Sequence, residues 1–366
     1  MKQAVLLTAF LLACACFLPP AGYCIAQAVA GQPMQLWPQS ADNGTDSAPP
    51  AGQATSPAAS ALPNDTSVPP TTVLPPQKDA ALAPLYILDT GTQQVLTVSV
   101  RDYLIGAVAS EMPMTWPDAA LQAQAVACHS YALYCKANND PAAYSGAYFA
   151  ADPARRQNFM TDTVLRSYWG VDYAANYARL AALVDEVLDT VVCYEGAAAA
   201  TSYFAISAGR TEASQNVWST SLPYLQGVDS AADKDAPDYA RTITYTGQQM
   251  YDALVLNLGL QPDGYSDAEY FGSCSYTNAG YVRSITVCGT EVSGTKLRSA
   301  LGLRSACFAI AYANDTFTIT TYGYGHGVGL SQYGACAMAQ AGSSWQQILQ
   351  HYYPGTTLGS AAALEQ

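Results

Sequence analysis

The sequence predicts an α+β module preceded by an N-terminal export segment and a disordered spacer. Three observations predict it. Helical stripes and strand-like runs mix without strict alternation after residue 85, which disfavours a doubly wound sheet. Ala, Pro, Ser and Thr dominate residues 27–84, and an apolar run lies close to the start.

Residues 1–26 read as a signal peptide or a membrane anchor. Lys2 precedes an apolar run from Ala4 to Leu18 that Pro19-Pro20 breaks, with small residues at Ala21-Gly22 and Ala26. The run serves as an anchor only if it extends past the prolines towards Ala30. Eleven of the 21 prolines fall within 27–84, where Lys78 is the only cation. Such a segment buries too little apolar surface to offset its ordering entropy and reads as a solvated spacer.

The chain of 366 residues carries a formal charge of −13, from 28 acidic and 15 basic residues. That balance argues against nucleic acid and anionic lipid as the main partner. Of 10 cysteines, Cys14, Cys16 and Cys24 sit in the leader, and the odd remainder excludes complete intramolecular pairing. Cys128 and Cys135, on one helix about 10 Å apart, lie beyond disulfide reach.

The module runs over 85–366, with a flexible tail expected after 358. Leu85-Tyr86-Ile87-Leu88 and Val95-Leu96-Thr97-Val98 form a hairpin around Thr90-Gly91. Two helices follow, the second opening at Pro117-Asp118 and reaching about Lys136. Residues 138–158 read as loop, and Asn176 to Asp189 as a helix with Leu180, Leu183, Val184, Val187 and Leu188 on one stripe. Strands are expected around Val191, Tyr203 to Ser207, Arg241 to Tyr245, Val282 to Val287, Cys307 to Ala311 and Phe317 to Thr321. Short helices fit Gln248 to Leu258, Lys296 to Leu301, Ser331 to Gln340 and Trp345 to His351.

The first helix carries the most informative residue. Leu104, Ala107, Val108 and Glu111 share one face, and Met112, standing before Pro113, disfavours the helical region and ends the helix. A carboxyl in the last turn meets the negative end of the helix dipole and little water. Both effects disfavour ionisation and hold a proton ready for a general acid. The alternative is a glutamate that merely ends a surface helix.

Glycine occupies every second position of Gly323-Tyr324-Gly325-His326-Gly327-Val328-Gly329. The run is expected to let backbone amides approach a ligand closely, and without a following lysine it is not a Walker loop. The alternative is a tight loop ahead of the helix near Ser331, with His326 a satisfied structural histidine.

Glu111-Met112-Pro113 joins several later segments. They are Ala119 to Ala127 with His129-Ser130-Tyr131-Ala132, then Ser207-Ala208-Gly209-Arg210-Thr211-Glu212 with Val217-Trp218 and Pro223-Tyr224-Leu225. Ser293-Gly294-Thr295-Lys296-Leu297-Arg298 follows, then Gly325-His326-Gly327-Val328-Gly329-Leu330-Ser331-Gln332-Tyr333-Gly334-Ala335 with Tyr352-Tyr353-Pro354-Gly355. With these in order over about 85–358, the chain resembles the stage II sporulation protein D family, whose members resemble lytic transglycosylases of bacterial cell-wall glycan. The resemblance implies a fold that forms a groove, with Glu111 as its single catalytic acid and base. Ser207, Arg210, Tyr224, His326, Ser331, Gln332 and Tyr333 are the candidate substrate-binding residues. The simpler role for Arg210 is an ion pair with Glu212. The resemblance also implies peptidoglycan glycan strands as substrate, no cofactor, action outside the cytoplasm at the membrane or in the cell-wall space, and stage II sporulation proteins P and M as partners during forespore engulfment.

The chain departs from the family in two places. Many clostridial relatives carry a His…Cys…His-Cys zinc cluster ahead of a segment that matches Gln157-Asn158-Phe159-Met160. Here Ala150, Arg155 and Arg156 replace ligands, so no family-type zinc is expected. Ala205 to Gly209 also lacks the family's usual His-Ser opening and paired glycines. Two other classes compete with the enzyme: a glycan-binding module or amidase enhancer without catalysis, and a hydrolase using Cys128 or Ser331 with His326.

Overall fold

The computed structural model describes residues 82–365 apart from Ser219. The expected leader, and the spacer up to residue 81, lie outside the described residues. No helix among the described residues is long and apolar enough to cross a membrane.

The chain opens with the expected hairpin, β1 (Leu85–Asp89) against β2 (Gln94–Val98), with Asp89 Oδ1 accepting from the Gly91 N–H at 2.8 Å to shape the turn. Helix α1 (Val100–Glu111) starts at Ser99, whose hydroxyl accepts from the Asp102 N–H, and ends where Met112 turns extended at φ −132°. Helix α2 (Asp118–Asn138) follows, with Pro117 at its cap rather than in its first turn. The stretch expected to be a loop holds β3 (Phe149–Ala151), which adds to β1 in parallel. Then come α3 (Asp162–Trp169), α4 (Tyr173–Val187), β4 (Thr190–Tyr194), β5 (Ala197–Ala198) and β6 (Tyr203–Phe204).

Helix α2 is the hub, packed against α1, α4 and β4 and against two helices from the C-terminal end. Its alanines explain why. Ala120, Ala123, Ala125 and Ala127 are buried and let neighbouring backbones come close, while Leu121 and Val126 fill the gaps. Burying one such leucine or valine contributes about 2 kcal/mol.

The main core spans Leu85 to Tyr353, yet the residues between β6 and the glycine run contribute little to it. After the short helix α5 (Gln215–Trp218), residues 240–322 build a second core. It is made from β7 (Ala240–Thr246), α6 (Gly247–Leu258), β8 (Phe271–Tyr276), β9 (Val282–Val287), β10 (Thr290–Ser293), α7 (Gly294–Ala300), β11 (Phe308–Ala313) and β12 (Thr316–Tyr322). Two three-stranded antiparallel sheets, ordered β10-β9-β8 and β11-β12-β7, enclose Met250, Leu254, Val287, Phe317 and Ile319. The α+β class holds, with two hydrophobic cores inside the expected 85–366 module.

The chain returns through β13 (Leu330–Ser331), parallel to β6, into α8 (Gln332–Gln340) and α9 (Trp345–Tyr352). The expected flexible tail after 358 is corrected. β14 (Thr357–Ser360) pairs with β4, and α10 (Ala361–Leu364) buries Ala361 completely. Asp189 accepts from the Ser360 hydroxyl and the Ala362 N–H, and Glu365 accepts from Lys136 and the Ala83 N–H. Both ends of the module are therefore tied to α2.

Candidate active site

Glu111 is the last residue of α1, where the carbonyls at the helix end oppose a negative charge. Its side chain is half-buried, and the surrounding protein strips water from it. Burial pushes the carboxyl up from 4.5 to about 7, and a hydrogen bond from Gln332 pulls it partly back. That bond runs from Gln332 Nε2 to Glu111 Oε2 at 2.9 Å. Gln332 is buried at the first position of α8, which Ser331 caps by accepting from the Gly334 N–H. The acid and its partner therefore come from opposite ends of the module.

The same two segments meet a second time. Trp116, in the loop after Glu111, packs edge-on against Tyr333, the residue after Gln332, with ring centroids 4.9 Å apart. Both rings are half-buried. Behind the acid, Gln124 Nε2 donates to Cys128 Sγ at 3.3 Å, and that thiol points to Tyr203 Oη at 3.5 Å. Burial pushes the Cys128 thiol up to about 12, so it stays protonated.

Among the expected site residues, the structure brings together Glu111, Gln332 and Tyr333. The others bond within the protein itself, all but Arg210 in its interior. His326 Nδ1 accepts from the Val328 N–H at 3.1 Å and Nε2 donates to the Tyr203 carbonyl at 3.0 Å, with the ring against Phe204 and Trp218. Burial lowers its pKa to about 3, which keeps it neutral. With both nitrogens committed to backbone, His326 is not placed as the base of a hydrolase using Cys128 or Ser331.

Ser331 is fully buried and donates to the Ala205 carbonyl at 3.3 Å. Ser207 is fully buried, its N–H donating to Asp233 Oδ2 at 2.8 Å and its hydroxyl accepting from the Gly209 N–H. Tyr224 is buried, with Oη accepting from the Ala200 N–H at 3.0 Å. These three residues were expected to bind substrate; in the structure their hydroxyls instead meet backbone groups of the protein. Arg210 is exposed and donates to the Gly227 carbonyl rather than pairing with Glu212. Glu212 instead accepts from the Ala213 N–H, Asn216 and the Thr277 hydroxyl, which ties it to the second core.

The glycine run also departs from expectation. Its close approaches are to the protein itself: a Cβ on Gly327 would lie 2.8 Å from the Tyr281 ring, and one on Gly329 only 2.1 Å from the Ser202 carbonyl oxygen. Sequence reasoning missed Trp116. Its position, five residues after Glu111 and just before a proline, was the available signal.

In the loop expected to lack the family's zinc ligands, Arg155 pairs with Asp152 at 3.6 Å and Arg156 stacks on Tyr168 at 4.6 Å. No group of three or more His, Cys, Asp or Glu among the described residues is arranged to hold a metal ion.

Comparison with known proteins bears on the whole module. The family model described as stage II sporulation protein (SpoIID) matches residues 88–194, a stretch that contains Glu111 and Trp116. Stage II sporulation protein D of Bacillus subtilis is 33% identical over 275 residues, covering 75% of this chain and 78% of that protein. The protein of the same name from Bacillus amyloliquefaciens is 33% identical over 273 residues. An amidase enhancer of Bacillus subtilis is 28% identical over 309 residues, covering 70% of this chain and 40% of that protein. One-third identity over most of both chains, together with the family match, shows that this chain belongs to the stage II sporulation protein D family.

Proposed function

We propose that the protein is a peptidoglycan lytic transglycosylase, cleaving glycan strands between MurNAc and GlcNAc and leaving 1,6-anhydroMurNAc ends. The observation that carries this reading is Glu111, a lone carboxyl held near pKa 7 beside Gln332 and an aromatic pair. Protonated Glu111 gives its proton to the glycosidic oxygen as the C1–O bond breaks. The resulting carboxylate takes the proton of the MurNAc C6 hydroxyl, whose oxygen attacks C1 and closes the anhydro ring. The proton returns to Glu111 and no water is consumed.

One residue in both roles requires a pKa near working pH. Ordinary glycosidases need a second carboxylate to activate water or act as nucleophile. Buried Asp233 and Glu212 make poor second carboxylates, since Ser207 and Ser230 donate to the first and Asn216 and Thr277 to the second. Action outside the cytoplasm, in sporulation, with the sporulation proteins P and M as partners, extends the same reading.

The test is mass spectrometry of the ends produced from peptide-free glycan. Anhydro ends support the proposal, and ordinary reducing ends overturn it. The rate should fall as pH rises through about 7, because Glu111 then lacks the proton it must give first. Gln332→Ala removes the N–H that favours the charged form. The alkaline limb of its pH profile should therefore move to higher pH, with the rate down about tenfold.

The amidase-enhancer relative favours a second reading, in which the module binds glycan without cutting it. In that case binding persists, no anhydro ends form, and Glu111→Gln leaves the stimulation of an amidase intact.

A further inference from the structure

Arg179 reaches out of α4 onto the loop that follows Glu111. Its Nη1 donates to the Met114 carbonyl, and its Nη2 to the Trp116 carbonyl at 2.9 Å. Nε and Nη2 also donate to Asp118 Oδ1, the Nε bond at 3.1 Å, in the first turn of α2. One planar guanidinium thus joins α4, both carbonyls flanking Thr115, and the start of the hub helix. The ion pair alone does not account for the arrangement. With side-chain exposures of 37% and 61%, water and salt screen the pair, and it adds little to stability. What the fork adds is geometry: a rigid planar set of donors makes four hydrogen bonds to two carbonyls and a carboxylate, where an ammonium has only three N–H groups and no fixed plane.

The fixed loop carries Trp116. Its ring meets Tyr333 at 74°, so the two rings form a corner whose faces point in different directions. The corner joins the same two chain segments as the Glu111–Gln332 bond: Trp116 lies five residues after Glu111, and Tyr333 follows Gln332 in α8, about 100° further round the helix. Half-exposed aromatics with polar tips suit the apolar C–H faces of a sugar ring.

We propose that Trp116 and Tyr333 form the stacking surface for the sugar next to the scissile bond, and that Arg179 is the positioning residue that holds Trp116 in place. This rests on the glycan reading above and names the part of the site that grips the ring. The loop places Trp116, while Glu111 and Gln332 manage the proton, so binding and chemistry are separable in this design.

The test uses the whole chain carrying Glu111→Gln, which binds without turnover. Peptide-free glycan oligosaccharides are titrated into it by calorimetry and tryptophan fluorescence. Trp116→Ala is expected to weaken binding about tenfold, and Trp116→Phe much less. Arg179→Ala should match Trp116→Ala, while Arg179→Lys, which keeps charge but loses the fork, falls between. The decisive measurement is the double variant. If Arg179 acts through Trp116, Trp116→Ala with Arg179→Ala binds no more weakly than Trp116→Ala alone. Additive losses, or an Arg179→Ala chain that binds normally, overturn the positioning role. Unchanged affinity in both Trp116 variants, or no glycan binding at all, overturns the stacking surface. Tryptophan-dependent binding in a chain whose wild type makes no anhydro ends keeps this inference and sinks the cleavage reading instead.

Discussion

Glu111→Gln is expected to cut the formation of anhydro ends by about 10²- to 10⁴-fold, measured as product per unit time on peptide-free glycan at pH 6 to 7. Glutamine has the shape of the protonated acid, and its Oε1 can still accept from Gln332 Nε2, so the corner between α1 and α8 keeps its bond. What disappears is a proton that leaves and returns. The same variant should be more stable at high pH, and the sign follows from the raised carboxyl. Folding holds the proton up to about pH 7, whereas the unfolded chain releases it near 4.5. The stabilisation from holding it is complete below 4.5 and is lost as pH rises through 7. At pH 8 the wild type carries a desolvated charge that the glutamine variant lacks, and the variant should gain about 3 kcal/mol by urea unfolding. At pH 4 the difference should vanish. A variant that loses activity without gaining stability at pH 8 would mean that the carboxyl is not desolvated. One that keeps its activity would remove Glu111 from the chemistry.

The position of Glu111 was legible because its signal is local. A glutamate ahead of Met112-Pro113 sits at a helix end whatever the rest of the chain does, and α1 stops there as expected. The start of α2, the β1–β2 hairpin and the strands around Val282 and Phe317 were legible for the same reason: period and turn chemistry act within a few residues. The partners of Glu111 were not. Gln332 is 221 residues away, and no periodicity links the two. Strand β13, which was not expected, is two residues long, too short for alternation to register. The hydroxyls of Ser207, Ser331 and Tyr224 look in sequence like side chains awaiting a ligand. In the fold they are taken up by backbone groups left unpaired where short strands meet.

The glycine run shows the same limit, and one of its members should have the largest effect on stability. Gly329→Ala is expected to cost about 3 kcal/mol or more, read as the urea midpoint multiplied by an unchanged slope. Two causes add. The residue has φ +82°, where a Cβ costs about 1 kcal/mol or more. The new methyl would also lie 2.1 Å from the Ser202 carbonyl oxygen, a backbone atom that cannot swing aside. That oxygen already accepts from the Leu330 N–H at 3.1 Å and from Tyr353 Oη at 2.9 Å, so displacing it disturbs both the β6–β13 pairing and the buried tyrosine beneath it. Because Gln332 stands three residues on, the shift should also loosen its bond to Glu111 and lower activity in the part that remains folded. Gly342→Ala separates the two causes. Gly342 has a similar φ of +92° at the end of α8, but nothing lies within 4 Å of its would-be Cβ. It should lose only the strain, about 1 kcal/mol, and keep full activity. If the two variants lose the same stability, the backbone conformation alone explains the glycines, and the close packing of the run against Ser202 contributes nothing.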